Sequence, residues 1–404
     1  MNRVIRIGPL TITYHFFIML VFYVFYVTKI IRAFAKTKEA GGIWNYIQLL
    51  LIIIGVVFIL LDLRNFINNR TFLFIMFTCL FCFTIGFFYL RSSSSSFFRF
   101  ITLLYPAAIL AIACHETSCY DMENGVFILA IFYSTAAIYV VNMISVGEFS
   151  ALTGATADVY YVLGLFPLAL IQERVNKLIP ISVCGFTLLI SGKRTGIIAY
   201  ILMVICFYFY QIFSKKSLMK HILYLIEFAV IVVLFIVLFS EVTKEFNPIL
   251  YLRIERLWKE EDSSGRYAIW DLVIRLLKNS AAIRLLFGHG TDAVLHVMGT
   301  KAHNDYLEVL YDFGIFAMLG YIGFYISAII DFIRMIIHRY EYAVYFLMSL
   351  IFSISLSMFS FYFIDPTYIT SGMLCFGFFL TDFQMKHTPE ASLSLIGKRN
   401  GENA

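Results

Sequence analysis

Charge is what this chain has least of. Asp, Glu, Lys and Arg make up only 14% of it, against 61% apolar residues, where a soluble domain carries about a quarter charged. A soluble fold could not cover so large a core with so little polar surface. Cysteine forms no usable pattern either. Cys79, Cys82, Cys114, Cys119, Cys184, Cys206 and Cys375 mostly lie inside apolar runs, which implies neither a disulfide framework nor a metal cage. No small-residue cleavage site follows Arg3 and Arg6, so the first apolar stretch is expected to remain as an uncleaved anchor. No Gly-rich phosphate loop, Walker motif or dinucleotide fingerprint occurs, and there is no clear internal repeat. The net charge of +5 is small, and in a membrane protein Lys and Arg mostly flank cytoplasmic helix ends. Neither a cofactor nor a nucleic-acid partner is expected.

What the chain does have is apolar runs of about 20 residues, enough to cross ~30 Å of hydrocarbon as helix. Lipid leaves exposed backbone unsatisfied, so such runs must be helices or closed barrels. Runs such as Leu49 to Leu61 do not alternate in polarity, which excludes barrel strands. The reading is an all-α polytopic membrane bundle of about 12 transmembrane helices, at 10–30, 43–61, 71–90, 96–114, 125–146, 156–172, 178–191, 196–213, 220–239, 306–336, 342–363 and 368–385. Arg64, Arg70, Arg174, Lys177, Lys215, Lys216, Lys220, Arg334, Arg339 and Lys386 fall on one face, which should be cytoplasmic. The loop at 31–42 carries Arg32, Lys36 and Lys38 on the other side, yet the sum favours both termini inside. Residues 1–150 then form a transmembrane scaffold and 151–239 the central helices. Residues 240–305 form a large extracytoplasmic loop containing amphipathic helices, followed by C-terminal helices at 306–385 and a cytoplasmic tail at 386–404.

Three polar stretches would face outside: Ser191-Gly192-Lys193-Arg194-Thr195-Gly196, Ser263-Ser264-Gly265-Arg266-Tyr267-Ala268-Ile269-Trp270, and Ala302-His303-Asn304-Asp305-Tyr306-Leu307. From Tyr267 to about Leu286 the pattern is amphipathic, with Ile269, Trp270, Val273, Leu276 and Leu277 on one side, as in a helix lying on a membrane surface or packed over the bundle. Ser263 or Ser264 would cap it, placing Arg266 in the first turn. There a cation opposes the helix dipole unless an anion is also bound. Arg266 reads equally as a solvated side chain, and Arg194 as an interfacial arginine snorkelling to the headgroups. His303 precedes a helix capped by Asn304 or Asp305. A neutral imidazole there could take a proton from a sugar hydroxyl, or simply join loop to helix. His289, between Gly288 and Gly290, competes for that role. The acidic run Glu260-Glu261-Asp262 reads as a solvated face.

In these residues the chain resembles the O-antigen ligase/polymerase superfamily of bacterial envelope enzymes. The likeness covers roughly residues 150–385: the Ser-Gly-Lys-Arg turn, the loop with Gly-Arg-x-x-x-Trp and Gly-His-Gly, and His-Asn-Asp-Tyr-Leu-Glu-x-Leu-x-x-x-Gly opening the next helix. The resemblance implies metal-independent, inverting glycosyl transfer at the outer face of the bacterial cytoplasmic membrane, from an oligosaccharide on undecaprenyl pyrophosphate. It implies that Arg194 and Arg266 hold the pyrophosphate and His303 activates or orients the acceptor, with Lys193, Tyr267, Trp270, His289, Asn304 and Asp305 around them. The implied partners are the lipid-linked oligosaccharide, membrane lipid and a chain-length regulator protein. The Gly-Arg-x-x-x-Trp block and the short span from Gly290 to His303 look polymerase-like, the pattern of an enzyme extending a lipid-linked O-antigen, capsule or exopolysaccharide chain. A ligase moving finished glycan to lipid A–core is the alternative. A flippase for lipid-linked sugars is the rival of another class, though such transporters tend to show internal symmetry and midplane charges.

Overall fold

The computed structural model describes residues 4–7, 10–34, 41–67, 69–89, 94–119, 125–145, 156–172, 176–214, 266–363 and 366–387, with isolated helical positions between 222 and 255. The expected ninth helix falls largely outside these residues, as do Cys119's successors to Asn124, the acidic run at 260–262, Ser263, Ser264 and the tail beyond 387.

Helices build the fold, as the apolar runs require. The exception is a hairpin pairing Val4–Ile7 with Leu10–Thr13, Val4 opposite Thr13 and Ile7 opposite Leu10. It displaces the start of the first helix expected from residue 10. The reason is local: both segments are rich in β-branched residues, which favour strands. Helix α1 (Tyr14–Phe34) follows, then α2 (Gly41–Leu61), the short α3 (Leu63–Ile67) and α4 (Arg70–Phe88). Asn69 caps α4, its Oδ1 accepting from Phe72 N–H at 3.1 Å. The helix expected at 96–114 is two, α5 (Ser94–Thr102) and α6 (Tyr105–Cys119). Pro106 lacks an N–H and suits only a first turn, so a second helix must begin there. Next come α7 (Val126–Ser145), a 3₁₀ turn (Thr156–Val159) running into α8 (Tyr160–Leu170), α9 (Leu178–Ser191) and α10 (Arg194–Ser214).

The segment after the gap is compact: α11 (Arg266–Lys278), α12 (Ala282–Phe287) and α13 (Ala293–Met298). It leads into the 33-residue α14 (Asp305–Ile337), α15 (Ala343–Phe359) and α16 (Pro366–His387). In the core α16 packs on α6 and α8, α14 on α4, α2 on α6, and α10 on α15. Small residues sit at these crossings, Gly55 against Ala108 and Gly377 against Ala113, as lipid-embedded helices need for close van der Waals packing.

Among the described residues Trp44–Leu61, Arg70–Phe88, Val126–Ser145 and Asp305–Ile337 are long and apolar enough to cross a bilayer, and five shorter apolar helices accompany them. Leu60 and Leu61 are about 70% exposed and Phe88 75%. A contiguous apolar exterior of this kind is costly in water and ordinary in lipid. The chain is an all-α membrane protein.

Candidate functional site

The Ser191–Arg194 turn is fixed by its own backbone. Gly192 ends α9 in the left-handed conformation (φ 62°), its N–H reaching the Leu188 and Leu189 carbonyls at 3.1 Å. Ser191 Oγ donates to Leu188 O at 2.6 Å and accepts from Lys193 N–H at 3.1 Å. The turn sets Lys193 and Arg194 side by side, with Arg194 as the first residue of α10. Tyr160, at the start of α8, has its hydroxyl in contact with Thr195 and Ser360 and its ring within electrostatic reach of Arg266.

Arg266 begins α11, in the first turn as the sequence implied, and the helix ends at Lys278 rather than near residue 286. Its apolar side faces inward: Val273 is buried with Ala293, Val294, Ala302 and Tyr311, and Leu276 and Leu277 pack on that cluster. The outer side carries an Asp271–Arg275 ion pair. Trp270 Nε1 donates to the Ala302 carbonyl at 2.9 Å, which ties α11 to the residue preceding His303.

His303 takes φ 53°, a left-handed conformation that costs a non-glycine residue about 1 kcal/mol. The strain is held from both sides. Trp270 fixes Ala302, and Asn304 caps α14 through Leu307 N–H at 3.1 Å while its Nδ2 donates to Met358 O at 3.2 Å. The imidazole lies against Phe361 at 4.4 Å between ring centroids, and Lys301 Nζ sits 4.8 Å from the centre of the same ring.

The electrostatics of these side chains interlock. Burial, then Arg266, Lys193 and Lys301 in that order, push His303 from its ordinary 6.5 down to about 4, so its imidazole is neutral at physiological pH. Arg266 is itself held below its ordinary value, by burial above all and by Arg194, while Tyr160 acts the other way. Residues 193, 194, 266, 301 and 303, distant in sequence, thus share one field.

Other candidates are placed elsewhere. Asp305 is fully buried, and its Oδ2 accepts from Tyr362 N–H at 2.9 Å, Phe363 N–H at 2.7 Å and Tyr321 Oη at 3.2 Å. It clamps the 360–363 turn, and thereby Phe361, beneath His303. His289 stacks on Tyr311 at 4.2 Å, with Nδ1 donating to Tyr311 O at 3.0 Å and Nε2 lying 3.2 Å from Ser280 Oγ. Tyr267 is 71% exposed and meets Trp270 edge to face at 5.5 Å. Among the described residues no group of three or more His, Cys, Asp or Glu is arranged to hold a metal ion.

Residues 179–322 match the protein-family model described as O-antigen ligase. That segment is similar to O-antigen ligases. It runs from α9 into α14 and contains Arg194, Arg266, His303, the Gly-His-Gly loop and the helix that His303 introduces. No curated protein matches the chain.

Lys301, Phe361 and Tyr160 were not singled out from the sequence. Lys301 stands two residues from His303, and both side chains meet the ring of Phe361. Phe361 and Tyr160 arrive from remote helices and carry no sequence signal.

Proposed function

We propose that this protein polymerises a lipid-linked surface polysaccharide outside the cytoplasm, transferring the growing glycan from undecaprenyl pyrophosphate to a hydroxyl of a lipid-linked repeat unit. The observation that carries the reading is the shared field of Arg194, Arg266, Lys193 and neutral His303 within the segment similar to O-antigen ligases. In the transfer, the acceptor oxygen forms the new C–O bond at the anomeric carbon while its proton passes to His303. The bond from that carbon to the pyrophosphate oxygen breaks, its electron pair leaving with the phosphate. Charge therefore builds on the pyrophosphate as the bond opens, and fixed guanidinium groups stabilise it there at little reorganisation cost. Attack from the face opposite the leaving group inverts the anomeric centre. No step calls for a metal, because the arginines supply the countercharge.

A ligase passing finished glycan to lipid A–core is the second reading, favoured by the family model's own description. Both share the donor and differ in acceptor. Purified protein in liposomes with a lipid-linked repeat unit discriminates them: a ladder of lengthening products with release of undecaprenyl pyrophosphate marks a polymerase. Product formed only when lipid A–core is supplied marks a ligase. Translocation of the lipid-linked sugar without turnover would overturn both in favour of a transporter.

A further inference from the structure

Lys301 has no place in the reading above, yet it stands beside the candidate base. Its ammonium and the His303 imidazole rest on one ring, that of Phe361, at 4.8 Å and 4.4 Å. The surroundings hold them there. Trp270 pins Ala302 between them, and Asp305 pins the backbone on the C-terminal side of Phe361 through Tyr362 and Phe363.

The bland account makes Lys301 a counter-ion for the buried carboxylates of α14. It does act on Asp305, Glu308 and Asp312 through space. Among the described residues, however, no ion pair joins it to any of them, and Asp305 already accepts three hydrogen bonds. Among the described residues no side chain hydrogen-bonds either carboxylate oxygen of fully buried Glu308. A lysine recruited to serve that acid would have closed on it. Its place instead is half-buried against an aromatic face, an arrangement that desolvates an ammonium while leaving its N–H donors free.

We propose that Lys301 is a substrate-contacting residue that binds the anionic pyrophosphate of the donor beside His303, so that the imidazole becomes an effective base only once that anion is seated. The inference rests on the glycosyl-transfer reading and assigns it a further residue. Among the described residues the charged groups acting on His303 are Arg266, Lys193 and Lys301, all cations, and together they oppose protonation of the imidazole. A pyrophosphate diester brings about two negative charges into that field and offsets much of it, which makes the imidazole easier to protonate. The proton from the acceptor hydroxyl then has somewhere to go. Without donor the histidine is a poor base, which guards against activating water or acceptor in an unloaded site.

The test uses full-length protein in detergent with undecaprenyl pyrophosphate as probe. Lys301→Met should weaken probe binding about tenfold or more and Lys301→Arg by less than about threefold, the loss and retention of one charge-assisted contact. The acid limb of the transfer rate should move upward in pH in Lys301→Met, since removing a cation makes His303 easier to protonate. A merely structural lysine would leave that limb in place. On the unmodified protein, bound probe should slow acylation of Lys301 by an N-hydroxysuccinimide ester, read by mass spectrometry. Unchanged probe affinity and an unmoved acid limb in Lys301→Met, or acylation of Lys301 indifferent to saturating probe, overturn the inference and leave the glycosyl-transfer reading standing. Wild-type protein that neither binds the probe nor transfers glycan overturns the reading itself.

Discussion

Gly288 and Gly314 lock two chain segments by their backbones. Both take left-handed φ, 80° and 82°, and a Cβ on either would land on backbone of the other's segment: Asp312 and Phe313 for Gly288, Leu286 and Gly288 for Gly314. At Gly314 the long α14 breaks (φ 82°, ψ −177°). The carbonyls turned out there are taken by the Gly-His-Gly loop, His289 N–H to Tyr311 O at 3.1 Å and Gly290 N–H to Asp312 O at 2.8 Å. Broken backbone is tolerated at membrane depth only where protein satisfies it, and this loop does so. The break leaves residues 305–313 as a short leading helix that can be aimed independently of the span behind it.

Gly314→Ala should therefore be costly, on the order of 3 kcal/mol from left-handed strain plus a backbone clash. Thermal unfolding in detergent measures it. A variant as stable as wild type would mean that the break relaxes without the glycine. Gly299 also has positive φ, but nothing lies within 4 Å of its added Cβ, so Gly299→Ala should cost about 1 kcal/mol and serves as the control.

The helices were legible because uninterrupted apolar runs leave lipid-embedded backbone no other option, and the hairpin at Val4–Thr13 was missed because its β-branched residues merge into the apolar run that follows. The kink at Gly314 was hidden for a related reason: a single glycine inside a long apolar stretch reads as tolerated helix, and only its partner Gly288 gives it meaning. At the site, Arg194, Arg266 and His303 announced themselves through short motifs with unusual polar content. Asp305 sat in the same motif and read as a pocket residue. Its burial and three hydrogen bonds depend on the turn at 360–363, more than fifty residues away, and no local pattern encodes that.

Asp305 gives a prediction that separates structure from binding. Its three donors converge on one oxygen, Oδ2, while among the described residues Oδ1 has no partner. Asn can present its carbonyl oxygen to the same donors, so Asp305→Asn should cost about 1 kcal/mol, whereas Asp305→Ala strands two buried N–H groups and should cost on the order of 3 kcal/mol. Donor affinity should be nearly unchanged in Asp305→Asn. A large loss of affinity in that folded variant would return Asp305 to the substrate pocket.

Arg266 and Arg194 should behave as forks rather than as charges. Replacing either by Ala should reduce glycan transfer by roughly 10²–10³, the scale of losing a preorganised donor at developing charge. Lys should restore only a small part, because a bidentate contact becomes a point contact. Arg266→Ala should fold, since Arg266 lies at the start of α11 and makes no ion pair among the described residues. Transfer rates in proteoliposomes, normalised to folded protein, are the measurement. Full activity in Arg266→Lys would reduce that arginine's role to simple charge.

His303 carries the pH dependence. Its affinity for a proton is lower in the folded protein, at about 4, than the ordinary 6.5, so between those values the unfolded chain binds more protons than the folded one. Stability contributed by the neutral imidazole is accordingly complete above pH 6.5 and is lost as pH falls toward 4. His303→Gln, which cannot titrate, should flatten that part of the stability profile. Catalysis should respond separately: His303→Ala should lower transfer by about 10²–10⁴ if the imidazole takes the acceptor's proton. Buffer imidazole added to His303→Ala then distinguishes base from anchor. Partial rescue that rises with free imidazole indicates proton acceptance, and no rescue in a variant that still binds the donor assigns His303 to positioning the acceptor.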